Sequence, residues 1–441
     1  MGSIASSRSI LTPEEVRQSL RASKREAVAN AVMLGLTDPF MIPYALALGA
    51  SAFQAGLLSS ARNAILSLLQ LKSADAVQRL RSKKRLLLWT VGIQIVLWIP
   101  LALVGPLFGP WAVAALILLY TMGTTIAAFG NPAGGSLVSR YLTPQERGQF
   151  FGHLARRMGL CSTAAALLGG GFLQVTAGRP WLGFGLLCAG AAVARTFSWR
   201  WFTQLAEGPW EESPEEALSL WQFFRQRETS NFLYFTLSIA AMSFSVNLAA
   251  PYLAVYMLKE LHYNYFTYTI ISLSLSFVAA LVVPAWGKVG DRFGNQVVLR
   301  WTMVGVSILP FLWPISRNPA WLAMVFMVAG FFWVGLNLCT VNFVYDAAAP
   351  FTRDRYLAYF NVINGCSMSL GALTGGWLLG KIPPTKGSVF ITLFYCSGLL
   401  RFGSALVFRR LVREVRPVRQ VGLREVLYEL AGERIVQLFG K

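Results

Sequence analysis

Twelve apolar runs of about 20 residues each, separated by short polar turns, leave this chain few ways to fold. They lie at 26–49, 52–71, 86–107, 111–131, 150–175, 181–203, 231–258, 266–286, 297–315, 320–345, 358–380 and 388–408. At 1.5 Å per residue a run of that length matches the roughly 30 Å hydrocarbon core of a bilayer. With 55% apolar and only 13% charged residues among 441, an ordinary soluble domain is excluded. The expected fold is all-α, with twelve transmembrane helices. Pro39, Pro43, Pro251, Pro284 and Pro310 fall inside or at the ends of these runs, which membrane helices tolerate when neighbours satisfy the freed carbonyls. Such breaks often flank binding sites.

Charge orients the bundle. The great majority of the 39 Lys and Arg residues fall in segments on the side of the N-terminus, while Arg179, Lys259 and Arg317 are among the few on the other. The positive-inside rule then places both termini in the cytoplasm, as in a multi-pass protein of the inner or plasma membrane. A net charge of +19 reads as attraction to anionic membrane lipids rather than to nucleic acid, since no segment is large enough to present a folded basic surface.

Residues 1–25 are polar and basic, with no apolar core of a secretion signal. Thr12-Pro13-Glu14-Glu15 is a capped helix start, so a short cytoplasmic helix is expected to lead into the first span. Cys161, Cys188, Cys339, Cys366 and Cys396 all lie within spans, none at metal-type spacing, and His153 and His262 are far apart. Disulfides, a metal site, a cofactor and a nucleophile-base pair are not expected, and neither is an enzyme.

The chain also repeats itself. A shift of 206 residues superposes Asn131 on Asn337, Pro144 on Pro350, Arg147 on Arg353, Gly169-Gly170 on Gly375-Gly376 and Arg195 on Arg401 without a gap. With a shift of 208, Pro43-Tyr44 meets Pro251-Tyr252. Two six-helix halves follow, 26–203 and 231–408, joined by a linker at 204–230 that carries the acidic run Glu211 to Glu216. They are flanked by a cytoplasmic segment, 1–25, and a basic tail, 409–441.

Between spans 8 and 9 stands Gly287-Lys288-Val289-Gly290-Asp291-Arg292-Phe293-Gly294-Asn295-Gln296. This turn resembles the G-x-L-A-D-R-x-G-R-R loop of major facilitator superfamily transporters. Gly287 and Gly294 permit a tight reversal, Asp291 can cap a helix start, and Arg292 can hold a neighbouring helix. Leu142-Thr143-Pro144-Gln145-Glu146-Arg147-Gly148 resembles the family's second inner loop, with Arg353 as the repeat partner of Arg147. In the first half the acid of the turn is replaced by Gln78, while Arg79 is kept, so a conformational latch relying on that carboxylate is expected only in the second half. Span 5 has Ala165-Ala166 where drug-proton antiporters of the family have Gly-Pro, which argues against proton-driven multidrug efflux; its glycines serve helix packing. The resemblance implies parallel repeats with a substrate site between them near the midplane.

Charges inside spans are where function is most legible, because each costs about 2.5–3.5 kcal/mol near the bilayer centre on insertion scales. Asp38 lies about twelve residues into span 1, roughly 16–18 Å from its cytoplasmic end, and Arg62 reaches a similar depth in span 2 from the other side. A short connection makes these spans antiparallel neighbours, so the two charges can pair. The pair is either structural or part of the transport site. In the second case a substrate carboxylate or phosphate displaces Asp38 from Arg62, or protonation of Asp38 frees Arg62 and couples transport to protons. Arg195 and Arg401 are read as snorkelling or helix-end contacts. The resemblance points to spans 1, 4, 7 and 10 as cavity lining, which offer Thr37, Asp38 and Tyr44, Thr121, Thr124 and Thr125, Asn247 and Tyr252, and Trp333 and Asn337. Each can equally serve as helix glue.

The expected function is secondary transport of a small organic solute by alternating access, by a monomer. The alternative is a non-transporting sensor or membrane scaffold of the same fold. In the tail, Leu423, Val426, Leu427 and Leu430 recur at helical spacing behind a run of arginines, so 421–438 is expected to form an amphipathic helix on the inner leaflet.

Overall fold

A computed structural model describes residues 11–70, 79–208, 230–347 and 353–415. The expected tail helix, the acidic run of the linker and Gln78 lie outside these described residues. Thr12 opens the chain's first helix, α1 (Pro13–Thr37), with a capping box. Its hydroxyl accepts from the Glu15 N–H at 3.3 Å, and its own N–H donates to Glu15 Oε2 at 2.7 Å. These bonds hold the Glu15 carboxyl below its ordinary range. The helix runs without interruption into the first span, so the expected cytoplasmic helix and span 1 are one element. Its early turns are anchored by burial of Ser19, Ala22 and Ser23. The Ala206 N–H donates to Ser19 Oγ at 2.9 Å, and the Tyr141 hydroxyl donates to the Ala206 carbonyl. Burial pushes the Tyr141 phenol up to about 12.

Three residues after α1, the span resumes as α2 (Met41–Ala47). Asp38 is the C-cap of α1, and Pro39 behind it supplies no backbone N–H to continue the ladder. The first half continues with α3 (Ala52–Gln70), α4 (Lys83–Ala102), α5 (Val104–Phe108), α6 (Ala112–Ser139), α7 (Pro144–Val175) and α8 (Pro180–Phe202). In the second half, α9 (Ser230–Asn247) breaks before α10 (Ala250–Val255) just ahead of Pro251. Then follow α11 (Tyr265–Phe293), α12 (Asn295–Leu312), α13 (Pro319–Ala347), α14 (Arg353–Leu378) and α15 (Val389–Leu411). Among the described residues there is no strand beyond an isolated Thr385–Ser388 bridge.

Nine spans among the described residues are long and apolar enough to cross a membrane. The other three runs of the sequence reading are α1, α3 and α14, which have the length at 25, 19 and 26 residues but carry more polar side chains. They include Asp38, Arg62 and Asn63. The fold is a twelve-helix membrane bundle, and Asp38 and Arg62 lie in two of its three less apolar spans.

The repeat is visible in contacts as well as in letters. A Cβ on Gly169 of α7 would lie 2.9 Å from the Phe40 ring, and one on its repeat partner Gly375 of α14 would lie 2.1 Å from the carbonyl oxygen of Leu248, the partner of Phe40. One turn away the small residue changes sides. In the first half Gly35 of α1 approaches the Ser162 carbonyl and Ala165 of α7, whereas in the second half Gly371 of α14, the partner of Ala165, meets the Phe244 carbonyl of α9. Such contacts let membrane helices close in without a hydrophobic drive between them. Carboxylates near the end of each half cap the half's third span. Glu207 Oε1 accepts from the Lys83 N–H at 2.6 Å, and Glu414 Oε2 from the Gln296 N–H at 2.7 Å, each opposite the positive end of a helix dipole.

The chain divides into two compact units, one holding the first-half helices together with Leu258–Thr269, the other holding the rest of the second half. Leu258–Thr269 is tied to the first unit through Lys259 Nζ, which donates to the Ala50 carbonyl at 2.8 Å, and through the Tyr265 ring, edge-on to Phe184 at 5.3 Å.

A Cβ at Gly371 would stand 2.3 Å from the Phe244 carbonyl oxygen. Gly371→Ala is therefore expected to destabilise by roughly 1–3 kcal/mol through overpacking. Gly403→Ala meets nothing within 4 Å and should raise stability by up to about 1 kcal/mol through helix propensity. Thermal unfolding of the two purified variants checks the opposite signs.

Candidate functional site

Asp38 owes its position to the break in the first span. At the C-cap it donates its N–H to the Leu34 carbonyl at 2.9 Å, and its side chain meets residues of α3 and α6. There the Arg62 guanidinium approaches to 3.9 Å between Nη1 and Oδ1. A third residue, Tyr120 of α6, completes the contact. Arg62 Nη1 donates to the Tyr120 hydroxyl at 3.3 Å, and that hydroxyl donates to Asp38 Oδ1 at 3.1 Å. The guanidinium carbon also lies 5.9 Å from the centre of the Tyr120 ring, within cation–π range. Trp98 of α4 meets that ring edge-on at 6.4 Å, so the phenol is fixed by a buried aromatic neighbour.

The two charges of this triad are only partly covered by the protein. The side chains of Arg62 and Asp38 are 36% and 39% exposed. A second ion pair in the same unit is built the opposite way. Arg195 of α8 lies 3.6 Å from Glu26 of α1, the two side chains being only 5% and 13% exposed. Its Nε donates to Gln94 Oε1 at 2.6 Å and its Nη1 to Asn30 Oδ1 at 2.7 Å and Ser198 Oγ at 3.1 Å, while Ser198 donates to Glu26 at 2.8 Å. Three helices thus meet the sealed cation. The expectation that Arg195 snorkels is corrected by this network. Arg401 does not snorkel either. It is 1% exposed, its Nη1 donating to the Val306 carbonyl and its Nε to Ser397 Oγ, both at 3.1 Å, with the Trp313 ring 5.5 Å away.

The other expected lining residues divide by accessibility. Tyr44, Thr121, Thr125, Asn247 and Tyr252 are all buried, as is Thr37, so in this conformation they do not present their polar atoms to a solute. Tyr44 stacks on Phe184 at 4.9 Å. Tyr252 gives its proton to the Ala372 carbonyl, and Asn247 its amide to the Ser243 carbonyl at 2.9 Å. Tyr252 thus joins α10 to α14, Asn247 bonds within its own helix, and the Thr121 and Thr125 hydroxyls are buried without a hydrogen-bond partner among the described residues. Thr124 bonds back to the Tyr120 carbonyl at 2.7 Å. On α13, Trp333 is half-buried and Asn337 exposed.

The expectation that Asp291 caps a helix start is corrected: α12 starts from Gly294 with no side-chain cap, and Asp291 lies in the last turn of α11. Gly294 has φ 92°, a conformation that favours glycine, and separates α11 from α12 by one residue. Arg292 lies 5.2 Å from the Phe293 ring, and Asp291 is exposed. Gly287 lies in the last turns of α11. Buried Asn295 donates to Asp346 Oδ2 at 2.6 Å, a tie between α12 and α13 with no signature in the sequence. Arg147 donates to the Ser139 carbonyl at 3.2 Å. Arg79 is exposed, and Arg353 begins α14.

Residues 233–436 match the family model described as Major Facilitator Superfamily. The fold agrees with solved members over most of the chain. A variant of the nucleoside transporter NupG superposes with a TM-score of 0.71 at 12% identity, covering 90% of this chain and 100% of that one. A D-xylose-proton symporter gives 0.65 at 11% identity over 92% and 99%, and the peptide transporter POT in complex with sulfate gives 0.67 at 14% over 93% and 99%. Residues 233–436 thus resemble this family in sequence, and the fold is shared over most of the chain. An efflux pump, azaK, of Aspergillus niger is 30% identical over 99 residues, 22% of this chain, which spans 20% of that relative's length. The fold and the apolar helices are those of a multi-pass membrane protein. The structural likenesses, all at low identity, establish its fold alone.

Hydrogen bonds to charged groups contribute about 1.5–3 kcal/mol, less where solvent competes, so Tyr120→Phe should cost about 1–2 kcal/mol of stability. In a double-mutant cycle, Asp38→Asn and Arg62→Met should show a coupling of roughly 0.5–1 kcal/mol that falls when Tyr120 is replaced. Additive losses, measured by chemical or thermal unfolding, would show that the triad is not one unit.

Proposed function

We propose that this protein is a secondary transporter that moves a small organic solute across the inner or plasma membrane by alternating access, with both termini cytoplasmic and a monomer as working unit. The Asp38–Tyr120–Arg62 triad is its charge-recognition site. The observation that carries this reading is the contrast between the two ion pairs of the first unit. A pair needed only to hold helices together gains most by being sealed and fully hydrogen-bonded, as Glu26 and Arg195 are, whereas Asp38 and Arg62 remain more than one-third exposed.

Two steps are open to the triad. Arg62, with five donors in a planar fork, can take a carboxylate or phosphate on the solute when Asp38 yields it. Asp38 can instead take up a proton, which removes the partner of Arg62 and couples solute movement to the proton gradient. Trp333 and Asn337 of the second unit, and the loop with Gly287, Asp291, Arg292 and Gly294 together with Arg79, Arg147 and Arg353, are assigned to solute contact and to the conformational switch. The solved relatives named above are described as acting on nucleosides, D-xylose and peptides, so the superfamily fold accommodates chemically different solutes, and class rather than identity is proposed here.

Screening organic anions and neutral solutes for a rise in melting temperature tests the reading, because a ligand bound only by the folded state stabilises it. Stabilisation by an anionic solute that Arg62→Gln abolishes is expected. In proteoliposomes, Asp38→Asn should uncouple transport from pH if Asp38 carries the proton, and leave its pH dependence intact if Asp38 serves only as the stand-in anion. A protein that neither binds nor moves any solute of the panel would instead be a sensor or scaffold.

A further inference from the structure

A groove of about 470 Å³ opens along the first unit between α1, α7 and α8, separate from the triad. One end is cationic. Lys24 and Arg25 of α1 and Arg157 of α7 line it, all three exposed. The remainder is apolar, with Val28, Ala29 and Val32 on one wall and Phe197 and Trp201 on the other. On α1 the lining residues recur at 24, 25, 28, 29 and 32, and on α8 at 194, 197 and 201, so each wall is a single helix face. From Lys24 to Val32 the groove runs roughly 12 Å along the helix axis. Its charged end lies towards the N-terminus of α1, the cytoplasmic side by the positive-inside distribution, and its apolar end points into the bilayer.

Among the described residues the cations have no acidic partners. Among the described residues none of the three lies within ion-pair distance of a carboxylate, and Glu26, the acid on this turn of α1, is turned into the sealed Arg195 network. Aromatic rings brace two of them, Lys24 at 5.4 Å from Phe150 and Arg25 at 4.7 Å from Trp201. Three uncompensated cations above an apolar trough about half a leaflet long complement one kind of molecule, an anionic headgroup joined to an acyl chain. We propose that this groove is a binding site for an anionic phospholipid of the inner leaflet. The phosphate is held by Lys24, Arg25 and Arg157, and an acyl chain lies against Val28, Val32 and Phe197.

The full-length protein in neutral detergent is titrated with phosphatidylglycerol, phosphatidylcholine or inorganic phosphate while its thermal unfolding is followed. Phosphatidylglycerol should raise the melting temperature saturably, and the other two should not. Lys24→Gln with Arg157→Gln should shift the titration midpoint by roughly fivefold per charge removed. Ala29→Phe, which fills the trough without touching charge, should weaken the response as well. The arginine-rich tail can also attract this lipid, so an unaltered response in both variants would overturn the groove site. Phosphate acting as well as the lipid would reduce it to an anion site with no role for the chain. A response that appears only after Glu211, Glu212, Glu215 and Glu216 are changed to Gln would mean that the acidic linker occupies the groove, and would overturn lipid as its ligand.

Discussion

An ionised side chain inside a bilayer has to be met by protein or by water, and the interior of this bundle is arranged around three solutions to that demand. Arg195 is met by side chains from three helices, Arg401 by backbone carbonyls, a serine and an indole ring, and Arg62 by an aspartate and a phenol at a partly exposed site. Insertion scales put an unmet charge at about 2.5–3.5 kcal/mol each, comparable with a good share of the net stability of a domain. The packing of α1 against α8 therefore cannot be separated from the charges those helices carry.

The two halves descend to the same geometry through different chemistry. Arg195 and Arg401 are repeat partners, and Ser198 and Ser404 follow each of them by three residues. In the first half the arginine finds Glu26. In the second it finds the carbonyl of Val246 at 3.5 Å, near the C-terminal end of α9, where the helix dipole favours a cation. Val246 is also the repeat partner of Asp38. At that position the first half presents a carboxylate beside a break in the span, and the second presents only a backbone oxygen beside the corresponding break. The open charged site thus belongs to the first half alone, while the glycines of the α11–α12 turn and its acid belong to the second.

What could be read from the chain follows from which signals survive in one dimension. Span length and the gapless repeat are properties of sequence alone. The approach of Asp38 to Arg62 was also legible, because equal depth on antiparallel neighbours leaves two charges few other places to be. Tyr120 was not, since a tyrosine on an apolar helix looks the same whether its hydroxyl bridges an ion pair or rests on a carbonyl, as that of Tyr252 does. The only hint was its depth, one residue before Thr121. Arg195 was misread because its partners, Glu26, Asn30 and Gln94, come from two other helices at separations of 101 to 172 residues for the bonds that join them. Depth along one helix says nothing about which neighbour a side chain faces. The burial of Thr121 and Thr125 went unread for the same reason.

The triad's place on α1 bears on how it would act. A carboxylate at the C-cap stands at the negative end of the helix dipole, where it is disfavoured by about 0.3–1 kcal/mol, and an ion pair as exposed as this one returns only about 0.2–1 kcal/mol. The two terms nearly cancel. Neutralising Asp38, by a proton or by an anion that takes its partner, would relieve the first term, forfeit the second and weaken the Tyr120 hydrogen bond, leaving Arg62 without its counter-charge. The neighbouring Pro39 carbonyl accepts from the Tyr268 hydroxyl at 3.1 Å, which ties the same break to the segment that joins the second half to the first unit. In the proposed transporter, a charge change at this break, bonded to that segment, would be the means by which one proton or one solute selects between conformations.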